Sequence, residues 1–270
     1  MSDYQADSEL MRLCDRPYGQ PVRVSDDLFN ALQIGLRLSD VSDGKFDVSV
    51  GPYVRLWRMA RKKGVLPTAA QIAAVRPAVG WKKIRLDREA RTVTLLAPNM
   101  KLDLGGIGKG IAADAALRVL NRHGIDRAVV AGSGDIAIGD APPGQRGWKV
   151  GVAGLTGPTN QLHCLVLHNA GISTSGDAEQ FVEINGIRYS HIVDPTTGLG
   201  LTNRIQDTVI GPDATTTDSL DTVVNLLGIQ RGLALIESRP RTAAVIIAEQ
   251  NGRRETYTSR RFNRLEQVNQ

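Results

Sequence analysis

The chain has 270 residues, of which 41% are hydrophobic and 23% are charged, and its formal net charge at pH 7 is +5. This composition is typical of a globular protein with a sizeable core, and no apolar run approaches the roughly 20 residues that span a bilayer. The charge is too diffuse to indicate DNA binding, and an aromatic content of 4% leaves few rings to stack on bases. Nucleic acid is therefore not an expected partner. Residues 1–7 are polar and carry no export signal, so the chain as it stands is expected in the cytoplasm.

Helix caps and hydrophobic periodicity predict the elements of the first part of the chain. Ser25 is expected to cap a helix that has acidic residues in its first turn, and Thr68 with Gln71 forms a capping-box signal for another. The remaining predictions are one helical turn near residues 7–10, a half-buried strand over 46–52, a short helix over 53–59 that carries Trp57, and strands over 84–86 and 92–96.

A glycine-rich segment over residues 101–113 is predicted to join a short strand to a helix. Its glycines are Gly105, Gly106, Gly108 and Gly110. Bare backbone at such a junction can approach a ligand closely, and the helix that follows turns free N–H groups toward anions. With Lys109, the segment is interpreted as a phosphate cradle. A tight surface turn with an exposed lysine is the alternative interpretation, and a degenerate dinucleotide fingerprint, Gly108-x-Gly110-x-x-Ala113 with Asp126, also fits weakly.

The second half of the chain is predicted to be rich in strands. Asn185-Gly186 is a strong signal for a two-residue hairpin, and a basic tail from Arg253 is expected to end loosely. The predicted strands cover 128–131, 136–138, 148–152, 162–167, 171–174, 180–184, 187–191 and 243–248, and the predicted helices cover 213–227 and 230–238. No linker or repeat interrupts the pattern. One compact α+β domain over residues 1–270 is therefore expected.

Polar groups at the ends of these elements are candidates for chemistry. Asp218 and Thr222 lie about one helical turn apart, with Asp221 beside them, so their oxygens can bind one hard cation. The alternative is an exposed pair or a cap on the helix. His191 lies at a strand end, where it could equally be a structural histidine. Asp47 and Asp103 precede turns, and residues 173–177 form a polar loop after a strand.

Taken together, these segments resemble the ApbE family, the FAD:protein FMN transferases. Five segments carry the resemblance in the family's order, namely residues 46–57, 102–110, 173–177, 190–198 and 218–222. The resemblance implies an α+β unit related to the T-fold, with mixed or antiparallel sheets and flanking helices. It also implies Mg²⁺-dependent cleavage of FAD, attachment of FMN through a phosphoester to a Thr or Ser of an acceptor protein, and release of AMP.

The resemblance also implies roles for individual residues. Asp218 and Thr222 would hold Mg²⁺ through their side chains, helped by Asp221 and by a backbone carbonyl near Gly106. His191 would activate the acceptor hydroxyl, because a base that titrates near neutrality suits that step. The residues expected to bind FAD are Phe46, Asp47, Trp57, Asp103, Lys109 and Ile192.

The chain departs from the family pattern at two places. Family members usually begin with a strand that carries a Met-Gly-Thr motif, and that strand is absent, so one flavin-binding wall is expected to be missing. Members are often exported, so an upstream start would imply a periplasmic location. Gly132-Ser133-Gly134 stands where the family tends to have paired glycines. The alternative functions are an FAD-binding protein with impaired transfer and a regulatory domain that binds a nucleotide through the glycine segment alone.

Overall fold

The computed structural model describes residues 1–155, 161–176, 180–250 and 252–268. The chain divides into two compact units: unit 1 comprises Met1–Gly106 and Phe181–Thr202, and unit 2 comprises Ile107–Gln180 and Asn203–Gln270. That the two units form a single domain stays a prediction. Among the residues described, no helix combines the length and the apolar character that crossing a lipid bilayer requires.

The helices and strands of the described residues are numbered in chain order. The α-helices are α1 (Glu9–Cys14), α2 (Asp26–Val41), α3 (Gly51–Lys63), α4 (Ala69–Val75), α5 (Gly108–Arg122), α6 (Ala214–Leu227) and α7 (Ile229–Ser238). The β-strands are β1 (Val22–Arg23), β2 (Ile84–Asp87), β3 (Thr92–Leu95), β4 (Val129–Gly132), β5 (Asp135–Ile138), β6 (Trp148–Ala153), β7 (Gln161–Leu167), β8 (Ala170–Gly176), β9 (Phe181–Ile184), β10 (Ile187–Ser190), β11 (Ile205–Gly211), β12 (Ala243–Gln250) and β13 (Arg253–Thr258). Short 3-10 helices cover Arg76–Ala78, Trp81–Lys83 and Phe262–Arg264.

Unit 1 contains α1 to α4 and two small antiparallel sheets, one in the order β1-β3-β2 and the other the β9–β10 hairpin. The predicted two-residue turn closes that hairpin: Asn185 and Gly186 both have positive φ, 53° and 75°, as a type I′ turn requires. The core of unit 1 is built around the aromatic side chains Tyr53, Trp57 and Tyr189.

The predicted helix caps of unit 1 are confirmed. The Ser25 hydroxyl accepts the N–H of Leu28 at 3.2 Å at the start of α2. Thr68 and Gln71 form the reciprocal capping box at the start of α4. Both caps satisfy amides that a helix leaves unpaired at its first turn.

The predicted strand over residues 46–52 is wrong. The segment is a turn that leads into α3, because the Asp47 carboxylate closes it on itself: Oδ1 accepts the N–H of Ser49 at 2.7 Å, and Oδ2 accepts the N–H of Trp81 at 2.9 Å. An aspartate that bonds the amide two residues ahead favours a turn over a strand. The short helix expected over 53–59 is therefore longer, and begins at Gly51.

Unit 2 is built on a six-stranded sheet in the order β13-β12-β11-β8-β5-β4, in which every neighbouring pair is antiparallel. A separate antiparallel pair joins β6 to β7. Helix α6 lies against β8 and β11, and α5 lies against α6, β4 and β5. The expected architecture of antiparallel sheets with flanking helices is confirmed.

Two features of unit 2 differ from expectation. Strand β11 was not predicted, because Gln206, Asp207 and Thr208 interrupt its apolar run, yet every residue of it is buried. The basic tail was expected to end loosely, but β13 pairs with β12 along its whole length, and Phe262 beyond it is fully buried.

Candidate active site

Three buried carboxylates in unit 2 form an aspartate cluster, which consists of Asp135, Asp218 and Asp221. One oxygen atom of each lies within 4.8 Å of an oxygen of the other two. The residues are only 0%, 1% and 1% exposed, respectively. The alternative of a solvent-exposed pair on α6 is therefore excluded for Asp218.

The fold brings these carboxylates together from two elements. Asp213 caps α6 by accepting the N–H of Thr216 at 2.7 Å, and the helix then carries Asp218 and Asp221 on one buried side. Asp135 opens β5, directly after a tight turn from β4 in which Ser133 adopts a left-handed φ of 61°. Register then pairs Asp135 with Gly132 on β4 and with Ser173 on β8.

The start of α5 faces the same carboxylates. The Lys109 ammonium contacts the Oδ2 atom of Asp135 and lies 3.8 Å from Oδ1 of Asp218. The N–H of Gly110 donates to Oδ2 of Asp218 at 2.7 Å. A carboxylate at this position satisfies an unpaired amide and is favoured by the helix dipole.

The glycine segment differs in part from the predicted phosphate cradle. Residues 101–104 do not form a strand, and the boundary between the units follows Gly106. The Gly110 amide is bonded to Asp218, and within unit 1 the Gly105 amide donates to Asp103 at 2.7 Å. These two amides therefore bind carboxylates of the chain. The contribution of the segment's other amides to phosphate binding stays a prediction.

Burial dominates the titration of the cluster. Burial and, after it, the negative charge of Asp135 raise the pKa of Asp218 to about 7, against the opposing effect of Lys109. Burial and the charge of Asp218 also raise the pKa of Asp221 well above the ordinary value. Burial lowers the pKa of Lys109, but the charges of Asp218 and Asp135 outweigh it and leave that pKa raised.

The aspartate cluster fits a divalent cation. Within the described residues, its salt bridges come from Lys109, so three carboxylates face one ammonium group. Oδ1 of Asp135 is buried and has no hydrogen-bond partner among those residues. Buried, unpaired carboxylate oxygens are costly unless a cation or a proton binds them. Oxygen donors are the ligands that Mg²⁺ prefers. The Thr222 hydroxyl donates to Oδ1 of Asp221 at 3.2 Å, and its role as a ligand stays a prediction.

Sequence reasoning missed two buried aspartates. Asp135 is not among the predicted site residues, although a carboxylate that opens an apolar strand directly after Gly-Ser-Gly is a usable signal. Asp207 lies in the unpredicted strand β11, where Asn225 of α6 donates to its Oδ1. Its Oδ2 is buried without a hydrogen-bond partner in the described part of the chain.

His191 and Ile192, both in unit 1, follow β10 in a loop whose backbone is firmly held. The indole N–H of Trp57 donates to the carbonyl of Ser190 at 3.0 Å, and the Ser190 amide donates to the carbonyl of Leu201 at 2.7 Å. His191 is partly exposed, whereas Trp57 is 1% exposed. Trp57 thus supports the loop, and its direct contact with FAD stays a prediction.

The other predicted FAD residues of unit 1 are largely buried. Phe46, Asp47 and Ile192 are 5%, 7% and 8% exposed, respectively. Asp103 lies 3.5 Å from Arg58, and both burial and the charge of Asp3 raise its pKa. Their roles, like the carbonyl of Gly106 as a ligand, stay predictions. The prediction of a polar loop over residues 173–177 is wrong for residues 173–176, which belong to strand β8 and pair with β11, and Asp177 lies outside the described residues.

Comparisons with known proteins by family model, by sequence and by structure all match nearly the whole chain to one family. A model of the ApbE family matches residues 1–247. A relative from Vibrio cholerae named FAD:protein FMN transferase is 30% identical over 266 residues, which cover 97% of this chain and 79% of the relative. A relative of the same name from Salmonella typhimurium is 31% identical over 258 residues, covering 93% and 74%. The solved structure of the flavin transferase ApbE from Vibrio cholerae is similar with a TM-score of 0.88 and 29% identity, covering 98% of this chain and 85% of that one.

Proposed function

Because this chain belongs to the ApbE family, we propose that it is an FAD:protein FMN transferase that depends on Mg²⁺. Its substrates would be FAD and an acceptor protein with a Thr or Ser at the labelled position. The observation that carries the dependence on a cation is the aspartate cluster, three buried carboxylates within 4.8 Å beside Lys109.

Asp218, Asp221 and Thr222 would hold the cation through oxygen atoms. Mg²⁺, when bound, would neutralise charge that develops on the diphosphate of FAD. Lys109, whose side chain is about half exposed at 49%, would add a positive charge at the start of α5. A transfer of this kind needs positioning and charge neutralisation more than covalent catalysis.

The transfer forms one bond and breaks another. The acceptor hydroxyl oxygen attacks the phosphorus of the FMN half, and the phosphoanhydride bond to AMP breaks, so that AMP leaves with the bonding electrons. His191 would take the hydroxyl proton. Its partial exposure and the held backbone of Ser190 support this role, because a general base must reach its proton within hydrogen-bond distance.

The residues of unit 1 would bind the flavin nucleotide. Phe46, Asp47 and Ile192 would line the flavin pocket, and Asp103 would bind a polar group of FAD. Trp57 would act by holding the backbone at Ser190.

The test combines purified chain, FAD, MgCl₂ and acceptor domains that differ only in Thr, Ser or Val at the labelled position. Covalent flavin is measured by in-gel fluorescence, and AMP by chromatography. We expect equal amounts of AMP and labelled Thr or Ser acceptor, no labelled Val acceptor, and loss of both products with EDTA.

The decisive variant is Asp218→Asn, and its matched control is Asp140→Asn, which makes the same charge change at an exposed position of unit 2. Asp218→Asn should lower the labelling rate at least about a hundredfold, as loss of transition-state charge stabilisation does. Wild-type labelling by Asp218→Asn would refute the cation site. FAD binding without AMP release by the unmodified chain would instead favour the FAD-binding alternative.

A further inference from the structure

We propose that Asp135 is a third carboxylate ligand of the cation site, with its Oδ1 atom as the donor and with Lys109 holding its other oxygen. This inference rests on the proposed function. The inference extends the proposed function, because Asp135 is not among the cation ligands that the family resemblance implies, namely Asp218, Asp221, Thr222 and Gly106.

The first argument is that the two carboxylate oxygens of Asp135 differ in their partners. Oδ2 contacts the Lys109 ammonium, while Oδ1 is buried and has no hydrogen-bond partner among the described residues. The whole residue is 0% exposed, so water does not reach Oδ1 from the surface. Burying an anionic oxygen without a partner is unfavourable, and a bound cation removes that penalty.

The second argument is position. An oxygen of Asp135 lies within 4.8 Å of oxygens of both Asp218 and Asp221. Opposite ligands of one Mg²⁺ lie about 4.2 Å apart, because each metal–oxygen distance is about 2.1 Å, so oxygens at the upper limit would close by about 0.6 Å to bind the same ion. Asp135 is the first residue of β5, and its backbone is held by antiparallel pairing with β4 on one side and β8 on the other. A ligand on a rigid strand is well placed for a cation that demands near-ideal geometry.

The alternative is that Asp135 serves only as the ion-pair partner of Lys109. One carboxylate would balance one ammonium group, but Lys109 also lies 3.8 Å from Asp218, and Asp221 is buried beside them. If Lys109 is the sole counter-ion, the surplus negative charge is removed only when protons bind Asp218 and Asp221. A divalent cation that binds all three carboxylates balances it.

The first experiment measures Mn²⁺ binding by electron paramagnetic resonance, without FAD, to the unmodified chain and to three variants. Asp135→Asn should weaken Mn²⁺ binding at least about tenfold, in the range found when partners of metal sites are removed. Asp218→Asn should weaken it as well, and Asp140→Asn should leave it within about twofold. Melting temperatures in EDTA verify that each variant is folded.

The outcomes separate this inference from the proposed function. If Asp218→Asn loses Mn²⁺ while Asp135→Asn binds it like the unmodified chain, the inference is overturned and the proposed cation site stands. If Asp135→Asn and Asp140→Asn weaken binding equally, the effect is one of overall charge, and the inference is overturned as well.

A second variant tests direct ligation even if Asp135→Asn folds poorly. Thiolate ligands favour soft cations such as Cd²⁺ over Mn²⁺, so Asp135→Cys should raise the ratio of Cd²⁺ to Mn²⁺ affinity if position 135 touches the ion. Asp140→Cys is the control for the added thiol and for Cys14 and Cys164, which are free. An unchanged ratio in Asp135→Cys would overturn the inference, because a merely structural role of Asp135 leaves metal preference unaltered.

Discussion

At the residue scale, a proton and a cation compete for the buried carboxylate of Asp218, because either one can neutralise its charge. Burial, followed by the charge of Asp135, raises the pKa of Asp218 to about 7, whereas an aspartate in the unfolded chain has a pKa of about 3.9. The folded state thus holds this proton more tightly. The resulting stabilisation is complete below about pH 4 and is lost as the pH rises through 7.

A pH dependence of cation binding follows. Mg²⁺ must displace the proton, so the rise in melting temperature caused by Mg²⁺ should be small near about pH 6 and clearly larger near about pH 8. Without metal, the free energy of unfolding should decrease over the same range. Differential scanning fluorimetry with EDTA or MgCl₂ measures both effects.

Asp218→Asn is the control for this effect, since the amide does not titrate. Its melting temperature should depend less on pH between about 6 and 8 and should respond little to Mg²⁺. An equal Mg²⁺-induced shift at both pH values in the unmodified chain would contradict the assignment of Asp218 as a titrating ligand.

Individual site residues differed in how far the sequence could predict them. The spacing of Asp218, Asp221 and Thr222 on one helix placed them together, because helical periodicity is local. Asp135 reaches the cluster only through the pairing of β5 with β4 and β8. A contact that depends on sheet pairing leaves no periodic signal in the sequence.

At the scale of elements, the packing of α5 on α6 depends on one glycine. A Cβ atom at Gly110 would lie 2.2 Å from the carbonyl oxygen of Ala214 and 2.8 Å from the Cβ of Asp218. Gly108, two residues earlier in the same helix, has nothing within 4 Å of such an atom. Gly110 therefore allows the close contact between the two helices, and its amide N–H also donates a hydrogen bond to Asp218.

This pair gives a matched test. Gly110→Ala should destabilise the protein by about 2–3 kcal/mol, the upper range for overpacking, and should weaken Mn²⁺ binding because α5 moves away from Asp218. Gly108→Ala should be neutral or stabilising by up to about 1 kcal/mol, since alanine favours a helix. Urea denaturation measures both variants. Equal stability of the two would contradict the close packing of α5 on α6.

Elements with local signals were predicted well, and those that depend on distant contacts were not. Caps at Ser25 and Thr68 and the Asn185-Gly186 turn are set by neighbouring residues, and all three are confirmed. The turn at Asp47 was mistaken for a strand because its carboxylate, besides the local bond to Ser49, also bonds Trp81, far along the chain. Strand β11 was missed because its polar residues are buried by partners on both edges.

At the scale of the whole molecule, the chain passes from unit 1 to unit 2 after Gly106, returns after Gln180 and leaves again after Thr202. The glycine segment is therefore divided between the units, and so are the predicted site residues. The aspartate cluster and Lys109 belong to unit 2, whereas His191 and the other residues expected to bind flavin belong to unit 1. No local pattern marks these crossings, so the sequence suggested a continuous domain.

The measurement that tests the central claim most directly is the broadening of the two phosphorus resonances of FAD by Mn²⁺ bound to the protein. FAD bound to the unmodified chain with a small fraction of Mn²⁺ should show both ³¹P resonances strongly broadened, because a paramagnetic ion on the aspartate cluster would touch the diphosphate. Asp218→Asn, at the same FAD and Mn²⁺ concentrations, should leave them narrow apart from the broadening by free ion. FAD that binds while Mn²⁺ occupies the cluster, with both resonances still narrow, would contradict a cation site that acts on the diphosphate.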